Sequence, residues 1–121
     1  YGFTQQQSYA QDCRELLLLY ANAYNSYPIH DINGNTSISG ARVLAQTLDE
    51  SMWLVNVSWG YDLIAGSGVL TPAEDLAVQQ NLLIACAEVI RRNDAGKSNW
   101  QAWHNAGIAA AGRAIASMES K

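Results

Sequence analysis

The sequence has little charge and lacks the features of several specialised protein classes. Only 15% of its 121 residues are charged and 49% are hydrophobic, which excludes an intrinsically disordered chain. The formal net charge is −4, and apart from Arg91 and Arg92 the seven basic residues are scattered, so a nucleic-acid partner is not expected. The longest uncharged apolar runs, such as residues 16–21, are too short to cross a bilayer, so no membrane partner is expected either.

Cysteine is also scarce, and its two positions do not form a disulfide framework. Cys13 and Cys86 both fall on apolar helical stripes, so we expect them to pack as free thiols in the core. The length fits one domain with a single core. Because the first residue is Tyr1 and not Met, we expect a processed chain or part of a longer protein. We assign the sequence no cofactor and no metal ion.

Apolar residues recur at helical spacing in four segments, and no segment has the alternation of a strand. The predicted helices span residues 5–26, 41–64, 72–93 and 99–117. The second is apolar on more than one side, with Trp59 in one stripe, so neighbours should enclose it. Thr71, Pro72 and Glu74 form a capping box that begins the third helix, and Ser98 caps the fourth. The predicted fold class is all-α, built from antiparallel helical hairpins.

A line of polar and aromatic residues is predicted along the second helix. Arg42, Gln46, Glu50 and Trp53 follow at i, i+4, i+8 and i+11. They fit an ordinary solvent-facing ladder, or the wall of a saccharide cleft with Arg42 on a carboxylate and Trp53 under a sugar ring. His30 lies in a polar loop of about a dozen residues, where binding residues often occur, although a solvated loop is the favoured interpretation because no partner spacing supports a site. Both interpretations stay open.

The fourth predicted helix begins with aromatic and amide residues and continues with small ones, as "SNWQAWHNAGIAAAG" at residues 98–112 shows. The small residues allow other helices to approach closely. At 100° per residue, Asn99 and Trp103 lie within about 40° of each other, Trp100 flanks them, and His104 is farther round. An amide beside indole rings at a helix N-terminus suits a sugar carboxylate. The alternative is that the aromatic residues and His104 belong to the core.

Several stretches resemble the N-terminal helical domain of the heparinase II/III-like and alginate-lyase-like polysaccharide lyases. They are "YPIHD", "SGARVLAQTLDES", "WGYDLI" followed by "LTPAEDL", and "AGKSNWQAWHNAGIAAAG", which is the most specific. Together they cover most of residues 9–116 in the expected order. The resemblance implies part of an incomplete (α/α) toroid and β-elimination of a uronic-acid-containing polysaccharide. It also implies that the parent protein is periplasmic or secreted.

The resemblance also suggests roles for individual residues. An Asn that opens the helix of the last stretch neutralises the substrate carboxylate in the family, and Asn99 holds that place here. Some members have a His directly after this Asn, which could act as a base, but this sequence has Trp100 at that position. His104 is a candidate for substrate contact only. The family's catalytic Tyr and its β-sandwich lie beyond the position of Lys121. We therefore expect residues 1–121 to be a single helical domain or fragment that is inactive alone.

Two other functions and one further property follow from the residues. A glycoside hydrolase of uronates on an (α/α) barrel needs paired carboxylic acids, but Asp49 and Glu50 face 100° apart on a helix, which leaves Asp62 as the other candidate. A non-catalytic carbohydrate-binding or scaffold domain is the third possibility. In every case the expected partner is an acidic polysaccharide or oligosaccharide.

A part of a toroid would also expose apolar helix faces, so we expect self-association.

Overall fold

The computed structural model describes residues 4–94, 96 and 98–119, and that part of the chain is helical without a β-strand. This confirms the all-α fold class. None of the described helices is long and apolar enough to span a membrane. A short 3₁₀ turn, Tyr24–Ser26, extends the first helix. The five α-helices are α1 (Thr4–Ala23), α2 (Thr47–Ile64), α3 (Pro72–Val78), α4 (Ala85–Arg91) and α5 (Asn99–Glu119).

Helices α3 and α4 are joined by a π-helical segment, Gln79–Ile84, and the backbone stays in the right-handed helical region at both junctions. The three elements therefore form one continuous helix in the region predicted for residues 72–93. This helix begins with the predicted capping box. The Glu74 N–H donates to Thr71 Oγ1 over 3.1 Å, and the Thr71 N–H donates to Glu74 Oε1 over 3.0 Å.

Helix α2 begins at Thr47, six residues later than the sequence predicts. Ala41 forms an isolated antiparallel bridge with His30, so the chain is extended at this point. The N–H groups of the next three residues, 42–44, donate to the carboxylate of Glu50. Because a side chain accepts these hydrogen bonds, this segment has an alternative to the helical pattern and does not continue α2.

Helices α2 and α5 pack side by side and run in the same direction. Near their first residues, His104 Nε2 lies 2.9 Å from Thr47 Oγ1, and farther along Gly107 lies against Ser51. Helix α1 runs opposite to α2. Its Cys13 thiol donates to the Gly60 carbonyl over 3.5 Å near the end of α2, whereas the start of α2 faces the end of α1.

The core lies between α2 and the other helices. Its largest fully buried hydrophobic side chains are Tyr24, Tyr61, Leu54, Leu82, Leu83 and Ile90. Burying one such aliphatic side chain contributes about 1.5–3 kcal/mol. Both cysteines are free, as expected, with Cys86 fully buried and Cys13 half-buried.

One ion pair joins α1 to the start of α3. Arg14 of α1 makes a two-pronged contact with the Glu74 carboxylate at the start of α3, in which Arg14 Nε lies 3.3 Å from Glu74 Oε1. The Thr71 backbone N–H and the Arg14 guanidinium both hold the pKa of Glu74 below its usual value. The same carboxylate therefore caps α3 and fixes it to α1.

Candidate functional site

The first turns of α2 and α5 lie at the same end of the molecule, which we call the amino end and define by Thr47, Asn93, Asn99, Trp103 and His104. The Thr47 hydroxyl connects the buried residues of this end. Asn93 Nδ2 donates to it over 3.0 Å, and His104 contacts it. Since the two helices run in parallel, the positive ends of their dipoles point the same way. At α2 the acidic residues Asp49 and Glu50 already lie in the first turn, whereas the first turn of α5 has no acidic residue, so an anion is favoured at the start of α5.

Asn99 is the first residue of α5, and its side chain is exposed. The Ser98 side chain caps the helix, with its hydroxyl accepting from the Gln101 N–H over 3.3 Å. The Asn99 amide is therefore not walled in by hydrocarbon and is accessible to a solute. Its predicted role in neutralising a carboxylate stays a prediction.

The two tryptophans of α5 differ in exposure. Trp103 is 42% exposed, and at one helical turn from Asn99 it extends the accessible side of the helix. Trp100 is half-buried, and its ring meets the His104 ring edge-on, with 6.2 Å between centroids and 86° between planes. Trp103 is thus available to a ligand, whereas Trp100 mainly packs against the histidine.

His104 is fully buried, and the structure does not place it where a substrate contact would require. The Thr47 hydroxyl accepts from Asn93 and lies 2.9 Å from His104 Nε2, so it can donate its proton to this nitrogen when the imidazole is neutral. His104 Nδ1 lies 3.4 Å from Gln101 Oε1. Burial lowers the pKa of His104, in agreement with a neutral ring. Its role here is to link α5 to α2.

Glu50 is also fully buried, and the structure removes it from the predicted cleft wall. Its carboxylate accepts from the Tyr24 hydroxyl over 2.7 Å and from the Leu44 N–H over 2.8 Å. The N–H groups of Arg42 and Val43 donate to the same carboxylate over 3.2 and 3.3 Å. Burial raises the pKa of Tyr24, so this hydroxyl remains a donor. The carboxylate is enclosed by its own chain and holds the segment before α2.

The predicted polar line along the second helix is wrong, because Arg42 and Gln46 lie before α2. Arg42 Nη1 donates to the carbonyls of Asn25 and Tyr27, over 3.3 and 2.6 Å, beyond the end of α1. Gln46 is the extended N-cap residue of α2 and is half-buried. Arg42 therefore fixes local structure, and because neither residue is in a helix, the two do not share a helical face.

Trp53 and His30 are likewise held by their own chain. The Trp53 ring stacks on Tyr24, with 6.1 Å between centroids and 9° between planes, and meets Tyr20 edge-on at 5.2 Å. It therefore packs between α1 and α2. His30 bridges Ala41 through its backbone, and its Nδ1 lies 3.1 Å from the Pro28 carbonyl oxygen. Of the nine predicted site residues, Asn99 and Trp103 are exposed, Glu50 and His104 are fully buried, and the other five are half-buried.

A concavity that the sequence did not predict lies toward the carboxy-terminal ends of α2 and α5. It has a volume of about 480 Å³. Its lining residues are Ser58, Trp59, Asp62, Ala110, Arg113, Ala114, Ala116 and Ser117. Trp59 is 69% exposed, which corrects its predicted enclosure by neighbouring helices. The only sequence signal was an aromatic residue and Asp62 at i, i+3. Within the described residues, no group of three or more His, Cys, Asp or Glu side chains is arranged to hold a metal ion.

Comparison with known proteins gives one partial similarity. No protein-family model matches the chain, and no solved structure matches it. An alginate lyase from Stenotrophomonas maltophilia (strain K279a) is 41% identical to it over 64 residues, which make up 53% of this chain and 8% of that relative. The chain thus spans a small part of the relative's length. The similarity is to a polysaccharide lyase and is compatible with a lyase parent.

Proposed function

We propose that the chain is a helical part of a polysaccharide lyase that cleaves uronic-acid-containing polysaccharide by β-elimination. The observation that carries the proposal is the exposed Asn99 amide beside Trp103, at the N-terminus of α5. The partial similarity to an alginate lyase supports the same class. The proposal places the parent protein in the periplasm or outside the cell, where polymeric uronates occur.

The helix directions support a toroidal parent. Helix α1 runs opposite to α2, whereas α2 and α5 run in parallel and form the largest helix–helix contact in the described chain. Successive antiparallel hairpins whose second helices lie side by side would give this pattern. We therefore include an incomplete (α/α) toroid, with α2 and α5 as neighbouring inner helices, in the proposal.

In this chemistry the uronate carboxylate must be neutralised so that the C5 proton becomes acidic. A base then removes that proton, and an acid protonates the leaving O4. The Asn99 amide would donate to the carboxylate, and the positive end of the α5 dipole would act in the same direction. Trp103 would support a sugar ring. The role of the amide is greatest as negative charge develops during proton removal.

The base and the acid come from other parts of the parent in this proposal. His104 is buried and bonded to Thr47, and Glu50 is enclosed by four donors, so neither reaches a bound sugar. The enclosure of Glu50 also weighs against a glycoside hydrolase that uses it as one of two catalytic acids. We accordingly expect the 121-residue chain alone to release no unsaturated product from alginate.

The test is Asn99→Ala in the longer parent protein. We expect kcat to fall about 10²- to 10³-fold, as when one donor of an oxyanion site is removed, with little change in KM. Unsaturated uronate, followed by its ultraviolet absorbance, measures turnover. Asn105→Ala is the matched control, since this exposed amide lies on the same helix and accepts from Gln101 over 2.9 Å. Full activity of Asn99→Ala, or equal losses in both variants, would refute the assigned role.

A further inference from the structure

The concavity near the carboxy-terminal ends of α2 and α5 has the size and lining of a ligand site. Its volume of about 480 Å³ lies within the usual range of small-molecule pockets, roughly 300–1,000 Å³. Helix α2 contributes Ser58, Trp59 and Asp62, and helix α5 contributes Arg113 and Ser117. Alanines of α5 form the rest of the wall, and their small side chains leave the space open.

We propose that this pocket binds an acidic sugar unit through Trp59 and Arg113. The Trp59 indole, 69% exposed, offers a flat apolar surface of the kind that the apolar face of a pyranose ring covers. The Arg113 guanidinium supplies paired donors that match a carboxylate. Asp62 adds an acceptor for sugar hydroxyl groups. An aromatic surface combined with both charges suits a hydroxylated anion better than a purely apolar ligand.

Ser58 provides an independent indication that a polar ligand belongs here. The residue is 1% exposed, and its Oγ has no hydrogen-bond partner among the described residues. An unpaired buried hydroxyl is energetically unfavourable, so such groups are rare without a function. Ser58 forms part of the pocket lining. A ligand hydroxyl that reaches the floor of the pocket would give this oxygen the partner that it lacks.

The pocket is separate from the amino end. Arg113 follows Asn99 by fourteen residues on one helix, which corresponds to about 21 Å at 1.5 Å per residue. A sugar bound here would therefore not be the unit that Asn99 contacts. The choice of a uronate as the ligand rests on the proposed function, whereas the site itself rests on its lining and on the buried hydroxyl of Ser58.

The test is a titration of the ¹⁵N-labelled 121-residue chain with an alginate disaccharide, with neutral cellobiose as the comparison. We expect the Trp59 indole N–H and the backbone signals of residues 58–62 and 110–117 to shift with the uronate, at concentrations up to about 10 mM. Arg113→Gln should weaken this binding at least about tenfold. Arg92→Gln, which removes an exposed arginine at the end of α4, should leave the binding unchanged.

Ser58→Ala separates a binding role from a structural one. Removing an unpaired buried hydroxyl should leave the free energy of unfolding unchanged or raise it, while the disaccharide binds more weakly. Absence of uronate-induced shifts in the pocket, or shifts confined to Trp103 and its neighbours, would overturn this inference without affecting the proposed function. Pocket binding in a chain whose parent shows no eliminase activity would support the site and refute the proposed function.

Discussion

Gly107 of α5 lies directly against the backbone of Ser51 in α2. A Cβ at Gly107 would stand 2.9 Å from the Ser51 carbonyl oxygen and 3.2 Å from its Cα. Ser51 is fully buried, and its own hydroxyl donates to the Thr47 carbonyl over 2.6 Å. Because the nearest atoms belong to a helix backbone, they cannot yield without a shift of α2. Gly107 therefore sets the distance between the two parallel helices.

We expect Gly107→Ala to destabilise the fold by about 1–3 kcal/mol, because overpacking outweighs the gain in helix propensity. Gly112→Ala is the matched control. It changes a glycine of the same helix whose Cβ would meet nothing within 4 Å, so it should stabilise the fold by up to about 1 kcal/mol. Urea unfolding followed by circular dichroism gives both values. Equal effects of the two variants would show that the close approach is not energetically important.

Glu50→Gln tests the enclosed carboxylate. The amide would place an NH₂ group against donors such as the Tyr24 hydroxyl and the Leu44 N–H, so we expect a loss of roughly 1.5–3 kcal/mol in the free energy of unfolding. Asp49→Asn removes the same charge from the neighbouring, exposed position in the first turn of α2 and should cost about 1 kcal/mol or less. Thermal and urea unfolding would reveal the difference, and similar losses in both variants would contradict a structural role for Glu50.

The stability of the chain should depend on pH through His104. Burial depresses its folded-state pKa below the unfolded value of 6.5. Above that value the ring is neutral in both states, and below it the unfolded state binds the proton more readily. The contribution of His104 is therefore intact above pH 6.5 and is lost as the pH falls toward the folded-state pKa, by about 1.4 kcal/mol per unit of difference.

His104→Gln isolates this contribution, because the stability difference between wild type and variant cancels the other titrating groups. We expect the advantage of the wild type to be constant above pH 7 and to shrink as the pH is lowered toward 5. Urea unfolding at a series of pH values measures it. A difference that is independent of pH, or that grows toward acid, would contradict a buried neutral histidine.

The two thiols should react slowly in the native chain. Burial raises the pKa of Cys86 and of Cys13, which lowers the thiolate fraction at neutral pH. Cys86 is fully buried, whereas Cys13 is half-buried and donates to the Gly60 carbonyl. With an aromatic disulfide reagent at pH 8, Cys13 should react first, and Cys86 should react only as the chain unfolds. The variant Cys13→Ala shows which phase of the reaction belongs to each cysteine. Rapid modification of Cys86 in this variant would contradict its buried position.

Signals local to one helix allowed much of the fold to be predicted. The capping box could be predicted because Thr71 and Glu74 are only three residues apart in the sequence, and the structure confirms it. The small residues of α5 indicated a close helix contact, which Gly107 makes. Such features depend on periodicity and on the four unpaired N–H groups at a helix start, both of which follow from the sequence around them.

The polar line of the second helix shows why other predictions failed. Spacing suggested that Arg42, Gln46 and Glu50 share one face, because helical periodicity assumes that every backbone N–H bonds within the helix. Instead the Glu50 carboxylate accepts the N–H groups that precede α2, and the helix starts later. A side chain that competes for backbone donors is not visible in a pattern of polar and apolar residues.

Partners that are distant in sequence account for the remaining errors. His104 is bonded to Thr47, 57 residues earlier, so no local pattern could distinguish a buried link from a surface ligand. The exposure of Trp59 depends on which residues of α5 line the same concavity, and these are three alanines, Ser117 and the exposed Arg113. Both outcomes are set by the packing of α5 on α2, which single-helix patterns do not contain.

The π-helical segment between α3 and α4 also has a consequence for how this helix tolerates changes in length. A turn with hydrogen bonds from i to i+5 contains one residue more than a turn with hydrogen bonds from i to i+4. The segment Gln79–Ile84 can therefore lose one residue and become an ordinary α-helical turn. After such a deletion, Asp75 would still contact Tyr61, and Cys86 would stay in the core. A deletion in α5 between His104 and Gly107 would instead rotate Gly107 away from Ser51. Chains that are one residue shorter are therefore expected to have lost it in this segment.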